Sequence, residues 1–270
     1  MRSSPIVIGT VITAMCISIS WAEEKTLTDT KPRMIARSST EVREGIRPSK
    51  KLQKNENAPR KSRGLPNYKP PKRGAPGGRV GGGTRGDHEA NLTVEVLAPG
   101  KVRGLTSHDL PELYWYISKP TKVPIEFTLI DEAAIEPLVE TQLPQPAKSG
   151  IQRVRLSDFG IHLTEDKMYR WSIALVGDKD RRSKDIVAGA RIQHALESEI
   201  PTKKLAGVDP FHAAFINAES GLWYDALASI SQAIKSDPEQ SHYHDVRAAL
   251  LDQVGLGVIA NIDRKRMAGF

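Results

Sequence analysis

The sequence predicts a mainly β protein: an antiparallel β-sandwich of immunoglobulin/fibronectin-like type over residues 89–196, preceded by a disordered basic arm and followed by a small helical segment. Three observations predict it. Between residues 91 and 195, short runs alternate apolar and polar positions and are broken by Pro, Gly, Asp and Ser. After Pro201 the grammar changes to caps, helical stripes and glycine stops. Before residue 90 neither period occurs, and Lys and Arg accumulate.

Residues 1–22 read as a secretory signal peptide. Arg2 gives a basic start, residues 5–19 form an apolar run, and Ser20-Trp21-Ala22 resembles a small-x-small cleavage site. A bilayer-spanning helix needs roughly 20 apolar residues, so the run predicts cleavage and a mature chain without a transmembrane span. The protein is therefore expected in the periplasm or outside the cell, away from nucleotide cofactors, and no cofactor is expected. Cys16 is the only cysteine and lies inside the signal. The mature chain then has no disulfide, and Met15 stands where a lipidation motif expects a small residue.

Residues 23–88 read as a disordered Pro/Gly-rich arm. From 23 to 90 there are 17 Lys and Arg against 8 Asp and Glu, so within a chain of net charge +7 the remainder is close to neutral or acidic. Leu27, Met34, Ile46 and Leu65 are too scattered to offset an ordering cost of about 1–2 kcal/mol per residue. The arm ends in Lys72-Arg73-Gly74-Ala75-Pro76-Gly77-Gly78-Arg79-Val80-Gly81-Gly82-Gly83-Thr84-Arg85-Gly86. Gly81, Gly83 and Gly86 fit the spacing of a dinucleotide fingerprint, but no apolar strand precedes them and no amphipathic helix follows. Two readings remain: a hinge before the first strand, or a nest of backbone amides in which Arg73, Arg79 and Arg85 contact an anionic partner.

The strands are expected on Leu92, Val94 and Val96; on Leu113, Trp115 and Ile117; and on Ile125, Phe127 and Leu129. Val154 and Leu156 follow, then Tyr169, Trp171, Ile173 and Leu175, and finally Ile186, Ala188, Ala190 and Ile192. Leu163 ahead of Tyr169 and Trp171 is similar to the loop-to-strand corner of immunoglobulin-like modules. Trp115 and Trp171 share phase with aliphatic neighbours, which favours core packing over a carbohydrate platform.

The Gly-Arg segment, followed by Gly104-Leu105-Thr106, Pro111-Glu112-Leu113-Tyr114-Trp115-Tyr116, Glu126-Phe127-Thr128-Leu129 and Tyr169-Arg170-Trp171, resembles the bacterial family called domain of unknown function 928. The resemblance covers about residues 72–195. It implies an exported bacterial protein with no established activity, and it carries over no catalytic residue.

The helical segment is expected over 205–256. Asp209 caps a helix that starts at Pro210, carries Phe211, Phe215 and Ala218, and stops at Gly221. A second helix buries Trp223, Leu227, Ile230 and Ile234, and a third carries Tyr243, Val246, Leu250 and Val254. Ala226, Ala233 and Pro238 match the small residues and proline of a tetratricopeptide-like repeat, whose first half is missing. Residues 257–270 are expected to be a frayed tail.

No nucleophile elbow, His-Glu-x-x-His helix or cysteine pair occurs. His242 and His244 diverge by about 200 degrees on a helix, so chelation with His212 is disfavoured. Lys179, Arg181 and Arg182 oppose calcium at Asp178 and Asp180. The expected function is a non-catalytic envelope module that contacts an envelope protein or an anionic polymer, with no catalytic or metal residue and no nucleic acid partner. The alternatives are a glycan or ester hydrolase using carboxylates such as Asp109 or Glu112, and a structural spacer.

Overall fold

The computed structural model describes residues 64–71, 78–81, 92–146 and 148–268, with side chains as far as Lys265. The residues read as a signal peptide, most of the stretch read as a basic arm, Arg73 and Arg85 lie outside the described residues. Among the described residues eight strands follow one another: β1 (Val94–Val96), β2 (Gly104–Thr106), β3 (Glu112–Ile117), β4 (Ile125–Asp131), β5 (Val139–Leu143), β6 (Gly150–Arg155), β7 (Met168–Leu175) and β8 (Ile186–His194). Five α-helices follow among the described residues: α1 (Thr202–Leu205), α2 (Pro210–Glu219), α3 (Trp223–Ser236), α4 (Ser241–Gln253) and α5 (Gly257–Ala268). Among the described residues no helix is long and apolar enough to cross a membrane.

One sheet has the order β1-β3-β6 and the other β2-β8-β7-β4-β5. The alternation read from the sequence sets the register of the larger sheet. Ile125, Phe127 and Leu129 stand opposite Leu175, Ile173 and Trp171, which face Ile186, Ala188 and Ala190 on the next strand. All nine belong to one apolar cluster or pack against it. Burying a side chain of this size stabilises by about 1.5–3 kcal/mol. Trp115 and Trp171 are almost fully buried in the same core, as their phase predicted.

The expectation of a mainly β, wholly antiparallel protein is corrected in three places. First, β2 runs parallel to β8, with Gly104 opposite Ile192 and Thr106 opposite His194. Three residues are too few to display a period, and this strand is anchored from outside the sheet: the Thr106 hydroxyl donates to Asp225 Oδ1 of α3 at 2.7 Å. Second, helices α2 to α5 share the main core with the strands, so the architecture is mixed α/β instead of mainly β. Tyr114 and Tyr116 occupy the phase of β3 that a two-layer protein would leave in water, yet both are buried. Tyr114 faces Ala228 and Ser231 of α3, and Tyr116 faces Ile259 and Ile262 of α5.

Third, residues 257–268 are helical instead of frayed. Asp263 draws them in: Arg247 of α4 donates to both of its carboxylate oxygens, at 2.7 and 2.6 Å, and His244 Nδ1 lies 3.0 Å from Oδ1. The α2 start is as predicted. Asp209 caps it, accepting from the His212 amide at 3.1 Å, with Pro210 at the first turn.

Two pieces of the stretch expected to be disordered are seated on the domain. Residues 64–71 lie along the helices, where Tyr68 is buried, and 78–81 lie along β8. Neither forms a helix or a sheet strand of its own, so neither has a period to reveal it.

Candidate binding grooves at Arg79

The Gly-Arg segment acquires its position from backbone contacts. A Cβ at Gly78 would overlap the carbonyl of Gly100, so only glycine lets the two chains approach this closely. The Arg79 amide donates to Pro99 O at 3.1 Å, and Val80 exchanges both backbone bonds with Gly189 of β8, at 2.7 and 3.1 Å. The segment therefore lengthens the cover on the β8 edge that β2 begins. Gly78→Val should destabilise the fold by about 1–3 kcal/mol, through forced displacement of packed backbone. Amide exchange at Val80 and Gly189 should accelerate in the same variant; unchanged protection would show that the contact is dispensable.

Arg79 Nε pairs with Glu95 Oε1 at 2.6 Å, and Nη1 donates to Ala98 O at 3.1 Å. Of the three arginines proposed from sequence, this is the one described, and much of its charge is met internally. Five N–H donors sit on a guanidinium, so donors remain for a further acceptor.

Two grooves meet at Arg79 and Gly255. One, of about 620 Å³, is walled by Tyr68, Pro70, Pro99, Lys101, Val102 and Val254. The other, of about 570 Å³, runs under α5 between Tyr116, Ser118, Leu256, Val258, Ile259 and Ile262. Val258 is 76% exposed at its rim. Lys101 is exposed and has no ionic partner among the described residues. The arrangement offers apolar walls, a bound guanidinium at the junction and a free ammonium at one edge, which suits an extended or amphipathic ligand with negative charge. Lys101, Val258 and the α5 wall escaped the sequence reading, because a lone lysine in a turn and a helix without a clear stripe give no local signal.

A third cleft, of about 360 Å³, lies between β3 and α3, lined by His108, Glu112, Tyr114, Arg153, Ser231 and Lys235, among others. The Tyr114 hydroxyl donates to Glu112 Oε2 at 2.5 Å, and Arg153 Nη1 donates to Oε1 at 2.7 Å. Burial, reinforced by Glu112, pushes the Tyr114 hydroxyl well above its ordinary value. Asp225, on the same cleft, accepts from the Thr106 hydroxyl and, at 2.6 Å, from the Ser107 amide.

Asp109, the other carboxylate considered for hydrolysis, is not among the residues lining this cleft. It stands at the surface against His162 Nδ1 at 2.7 Å, and the hydrogen bond from that ring holds its carboxyl below the usual range. Each of these carboxylates is thus engaged by a donor.

The histidines considered for chelation are placed apart in role. His212 Nδ1 meets Asp209 at 2.6 Å, His244 meets Asp263, and the His242 ring lies 5.5 Å from that of Phe211. In the acidic turn, Asp178 Oδ1 accepts from the Asp180 amide and Oδ2 pairs with Arg181.

Comparison with known proteins supports the family resemblance of the chain. No curated protein matches it. The matched family is an uncharacterised one, and it indicates no catalytic class. Its span continues past β8 through α4 and most of α5, so the helices belong to the same inherited unit as the sheets. On a match covering residues 80–263, the chain belongs to the family described as Domain of Unknown Function (DUF928).

Proposed function

We propose that this protein is an exported, non-catalytic binding module of the bacterial envelope, and that its ligand face is the pair of grooves joined at Arg79. The supporting observation is that two apolar grooves, of about 620 and 570 Å³, converge on one guanidinium, with Lys101 free at the edge. The ligand class is an anionic polymer or the acidic face of an envelope protein. Arg73 and Arg85 flank the same segment in sequence and add to its positive charge. The two sheets are read as a sandwich of immunoglobulin-like type. Favouring this, Tyr169 at the start of β7 accepts the Thr164 amide on its hydroxyl at 2.9 Å, as a tyrosine corner does.

The test replaces Arg73, Arg85 and Lys101 by alanine and keeps Arg79, whose loss would also break its ion pair with Glu95. Titrated with a soluble anionic polysaccharide, the variant should bind about threefold more weakly per charge removed, with a flatter dependence on salt. Identical binding by wild type and variant across the salt range would reject the reading.

A further inference from the structure

Residues 64–71 are held by groups that recognise main chain. Gln253, at the end of α4, accepts from the Tyr68 amide on Oε1 at 2.8 Å and donates from Nε2 to Pro66 O at 2.8 Å. A second bond from Nε2 to Ala249 O, at 2.9 Å, fixes the amide in that orientation. One side chain thereby reads the carbonyl of one residue and the N–H two positions on. Further along, the Lys69 amide donates to Ala218 O at the end of α2, at 3.0 Å.

The α2–α3 turn is shaped for close approach. Gly221 has φ +79, and a Cβ there would lie 2.8 Å from Lys69 O. One side chain is taken into a pocket: the Tyr68 ring, 8% exposed, meets Trp223 edge-on with centroids 5.0 Å apart. The Tyr68 hydroxyl is buried with no hydrogen-bond partner among the described residues, so the pocket selects an aromatic ring and gives the hydroxyl nothing.

A reading amide, a backbone acceptor at the end of a helix, a glycine wall and an aromatic pocket together form a peptide-binding groove. The two sides of the Gln253 contacts are separated by 185 and 187 residues of sequence, so they are not a local turn. We propose that the groove between the α2–α3 turn and the end of α4 is a peptide site for extended segments carrying an aromatic residue shortly before proline, and that residues 64–71 occupy it as a ligand in cis. Tyr68-Lys69-Pro70-Pro71 is the cis example of that class. A partner's segment gains the groove by displacing it, so occupancy in cis lowers the apparent affinity for every competitor. The inference does not rest on the anionic reading, because the contacts that carry it are made by Gln253, Ala218, Gly221 and Trp223, although the seated segment also supplies Tyr68 and Pro70 to one wall of the neighbouring groove.

The experiment uses the full chain with a protease site placed within residues 72–77. After cleavage, the fragment ending there should still co-elute with the body. Excess synthetic Gly64-Leu65-Pro66-Asn67-Tyr68-Lys69-Pro70-Pro71 should displace it, and the same peptide with Tyr68→Ala should be at least about tenfold weaker. In the uncleaved chain, Tyr68→Ala should raise affinity for the labelled peptide by about tenfold over wild type. The proposal fails if the fragment separates on cleavage, if it stays bound whatever peptide is added, or if the alanine peptide competes equally. It fails too if cleavage unfolds the body, since residues 64–71 would then be a part of the fold and not a ligand.

Discussion

Replacing Trp223 by alanine is expected to cost about 3–5 kcal/mol of folding stability, among the largest losses any single truncation in this chain would give. The side chain is fully buried at the start of α3 and joins three parts of the molecule. Its ring packs on Tyr68 of the N-terminal segment, and its Nε1 donates to Leu97 O, just beyond β1, at 2.8 Å. The next residue extends the same junction: Tyr224 accepts from Trp171 Nε1 at 2.9 Å and donates to Arg191 O at 3.1 Å. Alanine at 223 opens a cavity beside Tyr68 and Leu97, and it strands the Leu97 carbonyl. Phenylalanine keeps most of the packing and should cost only about 1–3 kcal/mol, the share of a buried acceptor left unpaired. Denaturant titration of both variants checks this. A loss below 1 kcal/mol for the alanine would mean that the helical layer is not fastened to the sheets at this point.

Much of the larger sheet was legible because its strands obey one simple rule. Ile125, Phe127 and Leu129, like Tyr169, Trp171 and Ile173, alternate because one face meets the core and the other meets water. Where that rule fails, reading fails with it. Tyr114 and Tyr116 sit on the phase that should be wet, and only the helical layer, more than a hundred residues away in sequence, explains why they are not. The edge strand β5 was missed because its alternation spans only Val139, Thr141 and Leu143, with a polar threonine at the centre, and the structure only half-buries that face.

The site was less legible than the fold. Arg79 was singled out for its charge, but the sequence held no sign that Glu95 would meet it, since that pairing depends on Gly78 lying against Gly100. Tyr68 and Gln253 gave no signal at all, because contacts between one side-chain amide and a distant backbone have no period and no characteristic spacing.

Asp263→Asn is expected to be as damaging as the Trp223 truncation, for an electrostatic reason. Burial opposes ionisation of this carboxyl, yet hydrogen bonds from Arg247 and His244 outweigh it and hold the group below the ordinary aspartate range. The amide matches the shape but cannot meet two guanidinium donors and an imidazole, so Arg247 is left charged and uncompensated where it is almost wholly buried. Breaking one side of such a pair costs about 3–5 kcal/mol, whereas replacing both partners by apolar residues of similar volume is often close to neutral. Asp263→Leu with Arg247→Met should therefore recover most of the loss, and a double-mutant cycle by thermal and denaturant melts measures the coupling.

The pH dependence has a definite sign. A carboxyl whose folded value lies below its unfolded value, about 3.9, stabilises fully above that point and loses its contribution as pH falls through the folded value. Wild type should weaken on acidification below about pH 4, and Asp263→Asn, which has nothing to protonate there, should show a shallower acid limb. Parallel acid limbs in the two proteins would show that the Arg247–Asp263 pair does not couple α5 to the fold, and would return residues 257–268 to the frayed tail that their weak helical pattern predicted.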